Sequence, residues 1–409
     1  MPKLMTVVVE GYVAGGADRV LAQLLPYFKN LQIELLVNTG LDTSVLFSKP
    51  LPDNVRLRKF SWITPADIGN WAASASSPTM VLIRRVLSVA VRYPVDILLF
   101  LRFLNYFRKN RPDILLINNG GYPGGEACRM AAVAAVVRGE IRIIHIIHNM
   151  AMPSRRLFFP MEWVIDRIVE RGGDFVAVSD AVAKSLRQIR NLKINPVVIG
   201  NGLQIAPPPS PSLCGNSLEF LQVGYLGKVK NQKFSILALG ILAQQGFKNV
   251  RITFAGKETE SGYLRELTEL AQQLGVTDQI CFMGFVEEIE DFYRRCDAIL
   301  LTSTVEGMPM CILEAMRAGR AVIATNVGGV PELIEHAQTG YLLKGQEPEE
   351  LAEIWKRLLE NPDIIGRMGA RAHQRFVEKF TLDAQAGKYL ELINQPYKNA
   401  IYRRDCCKQ

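Results

Sequence analysis

TSTVEGMPMCILEAMRAGRAVIATNVGGVPELI, residues 302–334, begins where the apolar run Ala298-Ile299-Leu300-Leu301 breaks into a polar turn. An apolar run of this kind reads as a strand buried on both faces. Glu306, Gly307 and Met308 then lead into a helix expected to open at Pro309, just before Met310, since proline lacks the amide that a first helical residue leaves unused. Gly319 is placed to end that helix. Glu314 follows Glu306 by eight residues, about two turns at 1.5 Å per residue, so the two carboxylates cannot act on one atom. They suit two parts of an elongated ligand, with the positive end of the helix between them favouring a phosphate. A second unit repeats the device. Residues 321–325 form a strand, Asn326-Val327-Gly328-Gly329 a turn that lets backbone approach a ligand, and Pro331 opens another helix.

Working outward, the chain of 409 residues is 48% hydrophobic, long enough for two domains. Residues 6–9, 34–38, 114–118, 141–148, 175–179 and 196–199 read as buried strands separated by helical stretches. Strands at 218–223, 251–255, 279–283, 298–301 and 321–325 repeat the theme. Such alternation predicts doubly wound α/β domains with parallel sheets, whose ligands bind outside the strands' carboxyl ends. Between the halves, Ala206-Pro207-Pro208-Pro209-Ser210-Pro211-Ser212 reads as a stiff extended linker. The expected division is therefore 1–205, a linker at 206–217, 218–380, and a closing segment 381–409 that returns to the first domain near Phe380-Thr381. Helices are expected at 348–361 and 363–393.

No apolar run reaches the roughly 18 residues of a membrane span, and residues 6–9 are too short for a signal-peptide core, which predicts a cytoplasmic protein. None of the seven cysteines, Cys406 and Cys407 included, forms a C-x-x-C pair. The net charge of +8 is uneven: residues 1–205 hold 25 Lys+Arg against 15 Asp+Glu. Within residues 79–111, Arg84, Arg85, Arg92, Arg102, Arg108, Lys109 and Arg111 face a single acid, Asp96, among many apolar side chains. This pattern fits equally an anionic membrane surface as partner, at the inner face of the membrane, and an ordinary basic helix pair packed on the sheet. No aromatic-basic platform points to nucleic acid.

The pattern E-G-x-P-x-x-x-L-E-A-M-x-A-G-x-x-V-I-A-T-x-V-G-G-V-P-E-L-I resembles the donor-binding region of the family 4 glycosyltransferases, retaining enzymes of the two-domain GT-B type. The resemblance extends over most of the chain. Gly15-Gly16-Ala17-Asp18-Arg19-Val20 is similar to that family's G-G-A-E-R-V element, with Asp18 for the usual Glu, and lacks the G-x-G-x-x-G of a dehydrogenase. His148-Asn149 resembles the position whose imidazole lies near the transferred sugar, whereas His145, inside the same strand, reads as a satisfied core group. Asn118-Asn119-Gly120-Gly121-Tyr122-Pro123-Gly124-Gly125-Glu126 reads as a loop shaping the acceptor side. Gly224-Tyr225-Leu226-Gly227-Lys228-Val229-Lys230 matches the family's G-R-L-x-x-x-K at Lys230, while Tyr225 stands where its arginine would. Lys228 is the candidate to supply that missing charge, without the bidentate fork of a guanidinium.

The resemblance implies two Rossmann-like domains facing an interdomain cleft and a nucleotide-sugar donor. It also implies a hydroxyl acceptor, a lipid-linked one among those that fit. Gly15, Gly16, Lys228, Lys230, Glu306, Gly307, Met308, Pro309, Met310 and Glu314 are the implied donor-binding residues, and His148, Lys230 and Glu306 the catalytic ones. Glu314 is expected on the ribose and Glu306 on the donor sugar. No Asp-x-Asp pair occurs in either half, so neither metal nor cofactor is expected. An epimerase or phosphorylase of the same architecture, and a non-catalytic nucleotide-sugar-binding protein, remain as alternatives.

Overall fold

The structure is a computed structural model that describes residues 2–11, 15–41, 50–75, 77–155, 158–206, 217–345 and 347–396. The linker residues 207–216, the glycine-turn residues Tyr12, Val13 and Ala14, and Cys406 and Cys407 lie outside them. Two compact units emerge, Met1–Ile199 with Ala386–Gln409, and Gly200–Gln385.

The first unit is built on seven strands: β1 (Lys3–Val9), β2 (Leu31–Asn38), β3 (Val55–Phe60), β4 (Ile114–Asn119), β5 (Arg142–Ile147), β6 (Gly173–Ala177) and β7 (Val197–Val198). They lie in the order β3-β2-β1-β4-β5-β6-β7, every pair parallel. Met5 is paired with Ile33 on one side and Ile114 on the other, so β1 is central. The second unit has β8 (Leu218–Val223), β9 (Val250–Ala255), β10 (Ile280–Gly284), β11 (Ala298–Leu301), β12 (Ala321–Thr325) and β13 (Gly340–Leu343). Their order is β10-β9-β8-β11-β12-β13, again parallel. The chain is thus α/β with two Rossmann-like parallel sheets, and Trp355, wholly buried, packs its ring 5.4 Å from Phe220 in the second core.

Two strands escape a search for continuous apolar runs. Both β3 and β13 are edge strands. In β3, Arg56, Arg58 and Lys59 are exposed, which breaks the apolar signal. The closing helix is divided as well, into Asp363–Lys379 and Leu382–Asn394. The break is a bridge, not a proline: Leu203 donates its amide to Phe380 O at 3.0 Å and accepts from Leu382 N at 2.8 Å. Gly202 permits this approach, since a Cβ there would stand 2.4 Å from the Thr381 carbonyl oxygen.

This bridge also moves the division of the chain from the expected Ile205 to Ile199, because residues from Gly200 onward are tied to the 380–385 segment. Gly202 N donates to Gln385 Oε1 at 2.9 Å. At the other end the division falls after Gln385, inside the last helix, instead of at 380. Arg142 then donates to the carbonyls of Ile393 and Gln395 at 3.0 and 2.7 Å, within the first unit. Among the described residues no helix is long and apolar enough to cross a membrane.

Candidate functional site

In the second unit the helix that follows β11 spans Met310–Arg317, and Pro309, expected as the first helical residue, is instead its cap, with φ −69° and ψ 125°, so the helix begins one residue later. Gly319, at φ +67°, closes it as expected. The first amides of a helix have no partner inside it, so the end at Met310 offers donors to an anion. Met308 is buried beneath this end; Asn201 Nδ2 donates to its carbonyl at 3.2 Å and Asn201 N lies 3.0 Å from its sulfur.

Glu306, nearly buried, accepts a hydrogen bond from Lys230 Nζ at 2.6 Å. Burial alone would lower the Lys230 pKa, but the Glu306 carboxylate outweighs it and the net shift is upward, which keeps the ammonium charged. The lysine matched by motif and the first glutamate of the pair therefore meet directly. The turn expected to approach a ligand instead approaches Glu306: Gly328 has φ +52°, and a Cβ on it would lie 1.7 Å from the Glu306 carbonyl oxygen. Only a glycine leaves room for this crossing.

Glu314 has a different partner. Tyr293, buried on the helix Glu290–Arg295, donates its hydroxyl to Glu314 Oε2 at 2.7 Å. Burial and then the Glu314 charge push this phenol well above its usual pKa, so it stays a donor. Tyr293 is itself fixed through its carbonyl, which accepts from Arg320 Nε at 3.0 Å. The sequence offers no local sign of this pair, because the residues are joined only when the two helices Glu290–Arg295 and Met310–Arg317 pack. Lys228 is not brought to the Lys230–Glu306 pair: it is exposed, and its amide donates to Glu260 Oε1 at 2.8 Å.

The first unit holds the other candidates. His148 follows β5 and is buried, its Nε2 2.9 Å from Asn118 Oδ1. Asn118 Nδ2 lies 3.4 Å from Asp18 Oδ1, and Asp18 Oδ2 accepts from Gly15 N at 3.0 Å. The Gly15 amide is thereby occupied in capping its own helix, Gly16–Leu24, instead of pointing at a phosphate. Because Asn118 presents its oxygen, the imidazole proton sits on Nε2, and Nδ1 is an acceptor with no partner among the described residues. Burial lowers the His148 pKa to about 4, so the ring is neutral near pH 7. Burial also raises the Asp18 pKa.

Two readings change here. His145 stacks on Phe175 at 4.5 Å and is buried, but neither ring nitrogen has a partner among the described residues, so it is a core group held by packing instead of hydrogen bonds. The stretch 118–126 is only partly loop. Asn118 and Asn119 end β4, Glu126 begins the helix Glu126–Arg138, and Tyr122 is buried with its hydroxyl donating to Asp166 Oδ1 at 2.8 Å.

Two family models match consecutive parts of the chain: Glycosyltransferase Family 4 over residues 14–206, and Glycosyl transferases group 1 over residues 210–375. The chain belongs to this glycosyltransferase family. Relatives agree. The putative glycosyltransferase EpsD of Bacillus subtilis is 31% identical over 172 residues, 41% of this chain and 44% of its own length. The N-acetyl-alpha-D-glucosaminyl L-malate synthase of Bacillus anthracis is 31% identical over 123 residues, 30% of this chain and 32% of its own. These matches span less than half the length of the curated relatives. Among solved structures, Anabaena Alr3699/HepE in complex with UDP and glucose superposes with a TM-score of 0.73 at 20% identity, covering 96% of this chain and 99% of that one. Sucrose-phosphate synthase from Thermosynechococcus elongatus gives 0.71 at 16% identity, with both chains fully covered. The fold is that of the GT-B glycosyltransferases.

Proposed function

We propose that this member of the family transfers a sugar from a nucleotide-diphosphate donor to a hydroxyl acceptor, with retention at the anomeric carbon and without a divalent metal. The observation that carries the reading is the Lys230–Glu306 contact of 2.6 Å in the turn that leads into the Met310–Arg317 helix, a cation and a carboxylate held ahead of a helix N-terminus. Without donor the two charges neutralise each other. A diphosphate arriving at the helix end competes for the ammonium, and Glu306 is released to a sugar hydroxyl. Lys230 and the amides near Gly307 and Met310 then stabilise the charge that grows on the leaving diphosphate, an electrostatic role. Glu314, oriented by Tyr293, is assigned the ribose, and His148, neutral, the transferred sugar. The leaving phosphate takes part in deprotonating the acceptor. The acceptor is a lipid-linked hydroxyl, and the place of work the inner, anionic face of a membrane.

UDP-glucose is the first donor to test, because Alr3699/HepE is solved with UDP and glucose. A bound donor raises the melting temperature in proportion to its affinity. The decisive readout is NMR of the product's anomeric configuration, with UDP release requiring acceptor. Retention, with turnover unchanged in excess chelator, is expected. An inverted product, or activity lost to chelator and restored by magnesium or manganese, overturns the proposal.

A further inference from the structure

The helix Pro78–Asn110 runs for 33 residues, and its buried side chains are Arg92, Asp96, Leu99, Phe103, Tyr106 and Phe107. They form one stripe at helical spacing, and none of them precedes Arg92. Away from the stripe, Leu82 and Val86 are each 64% exposed, Ile97 57%, Leu101 52%, and Ile83 and Leu87 50%. From Pro78 to Leu104 the charged residues are Arg84, Arg85, Arg92, Asp96 and Arg102. At about 100° per residue all five fall on the buried side, so the outward face has no charge for roughly seven turns.

The arginines on this helix are largely engaged by protein. Arg84 donates to Trp71 O at 3.1 Å with its guanidinium 4.7 Å from the Trp71 ring. Arg92 is paired with Glu126, and Arg102 lies 5.9 Å from the Trp62 ring. The charge-led contact read from sequence therefore gives way to an apolar one. The exposed apolar face covers more than half the helix circumference, about 200° at 100° per residue. A second helix would need only the narrow stripe of a two-helix seam. A lipid surface covers a face of any width, and a helix that does not qualify to cross the bilayer lies along it. Charge complementarity points the same way, with Arg108 and Lys109 exposed at the end of the helix and the basic excess confined to residues 1–205. Trp71 and Trp163 are about half exposed, the residue type that favours a membrane–water boundary.

We infer that Pro78–Asn110 docks the first unit on an anionic lipid surface by inserting Leu82, Ile83, Val86, Leu87, Ile97 and Leu101 among the acyl chains. Arg108 and Lys109, beyond Leu104 at the end of the helix, reach the headgroup phosphates. This deepens the membrane part of the proposed function but does not depend on which sugar is moved.

The full-length protein, V86E/L87E and L82Q/V86Q are floated with vesicles of mixed phosphatidylglycerol and phosphatidylcholine. The wild type is expected to float, both variants to lose at least tenfold in partition, and melting temperatures to stay unchanged because these side chains face solvent. At 1 M salt, where screening acts over about 3 Å, most of the wild-type flotation is expected to persist. The inference is overturned if the wild type stays in buffer, if the variants float as well as it does, or if salt abolishes binding. It is also overturned if light scattering shows a wild-type dimer that V86E/L87E splits, which would assign the face to a second copy. Donor binding by thermal shift without vesicles reads the transferase assignment separately.

Discussion

Tyr293 and Lys230 show how a single neighbour sets a residue's task. The Tyr293 hydroxyl holds Glu314 at 2.7 Å, and Tyr293→Phe removes that bond while leaving the ring in its core. A hydrogen bond to a charged group is worth about 1.5–3 kcal/mol, so donor KM should rise about ten- to hundredfold with kcat little changed, because ribose contacts are the same before and during reaction. Steady-state kinetics with varied donor checks this. A fall in kcat at constant KM would place Glu314 at the reacting centre. Lys230→Ala leaves Glu306 nearly buried without its cation and should reduce kcat/KM by at least a hundredfold. Lys228→Ala, at an exposed side chain, should cost far less in donor titrations. Equal losses would restore Lys228 as stand-in for the arginine that Tyr225 replaces.

At the scale of elements, strand ends and helix starts are held together by crossings that only glycine allows. Gly328 lies at φ +52° against the Glu306 carbonyl. Gly328→Ala pays about 1–2 kcal/mol for left-handed backbone and must also push the turn carrying Glu306 aside. Melting of the second unit should fall by several degrees, and kcat should drop more than donor affinity does. Calorimetry together with kinetics tests it. An unchanged kcat would show that the position of Glu306 does not matter to turnover. The Leu203–Thr381 bridge works likewise for the fold, ending one helix and starting another where periodicity alone reads a single helix.

Across the whole molecule, buried ionisable groups in the first unit give opposing responses to acid. Burial lowers His145 to about 3 and His148 to about 4, so the unfolded chain binds more protons below the ordinary histidine value of 6.5. Their contribution is fully present above pH 6.5 and is lost as pH falls toward 4 and 3. Glu10, raised to about 7 chiefly by burial and then by Glu126, and Asp96, raised to about 6 by burial, act in the other sense, favouring the folded state as pH falls through the same window. The difference between variant and wild type isolates one histidine. His145→Leu removes a ring whose nitrogens have no partner among the described residues, and should flatten the loss of melting temperature between pH 6.5 and 4.5. An unchanged acid slope would mean that His145 does not titrate on unfolding.

What the sequence determined by itself is what repeats locally or lies within one element. The central strands are legible because burial on both faces demands continuous apolar runs, and the helix after Glu306 because proline and glycine bracket it. The motif at Gly224–Lys230 and the glutamates eight apart identify the family. Tertiary structure decided the rest, because the deciding partners are distant in the chain. Lys230 and Glu306, and His148, Asn118 and Asp18, become neighbours only when parallel strands end side by side, and Tyr293 and Glu314 only when their two helices pack. The edge strand β3 has exposed basic residues that interrupt its apolar pattern, and β13, though apolar and mostly buried, is only four residues long; both are specified by the strand they pair with. The outward face of Pro78–Asn110 is likewise decided by packing: its arginines and its leucines are equally visible in sequence, and only the fold turns Arg92 and Asp96 inward and leaves the apolar side uncovered.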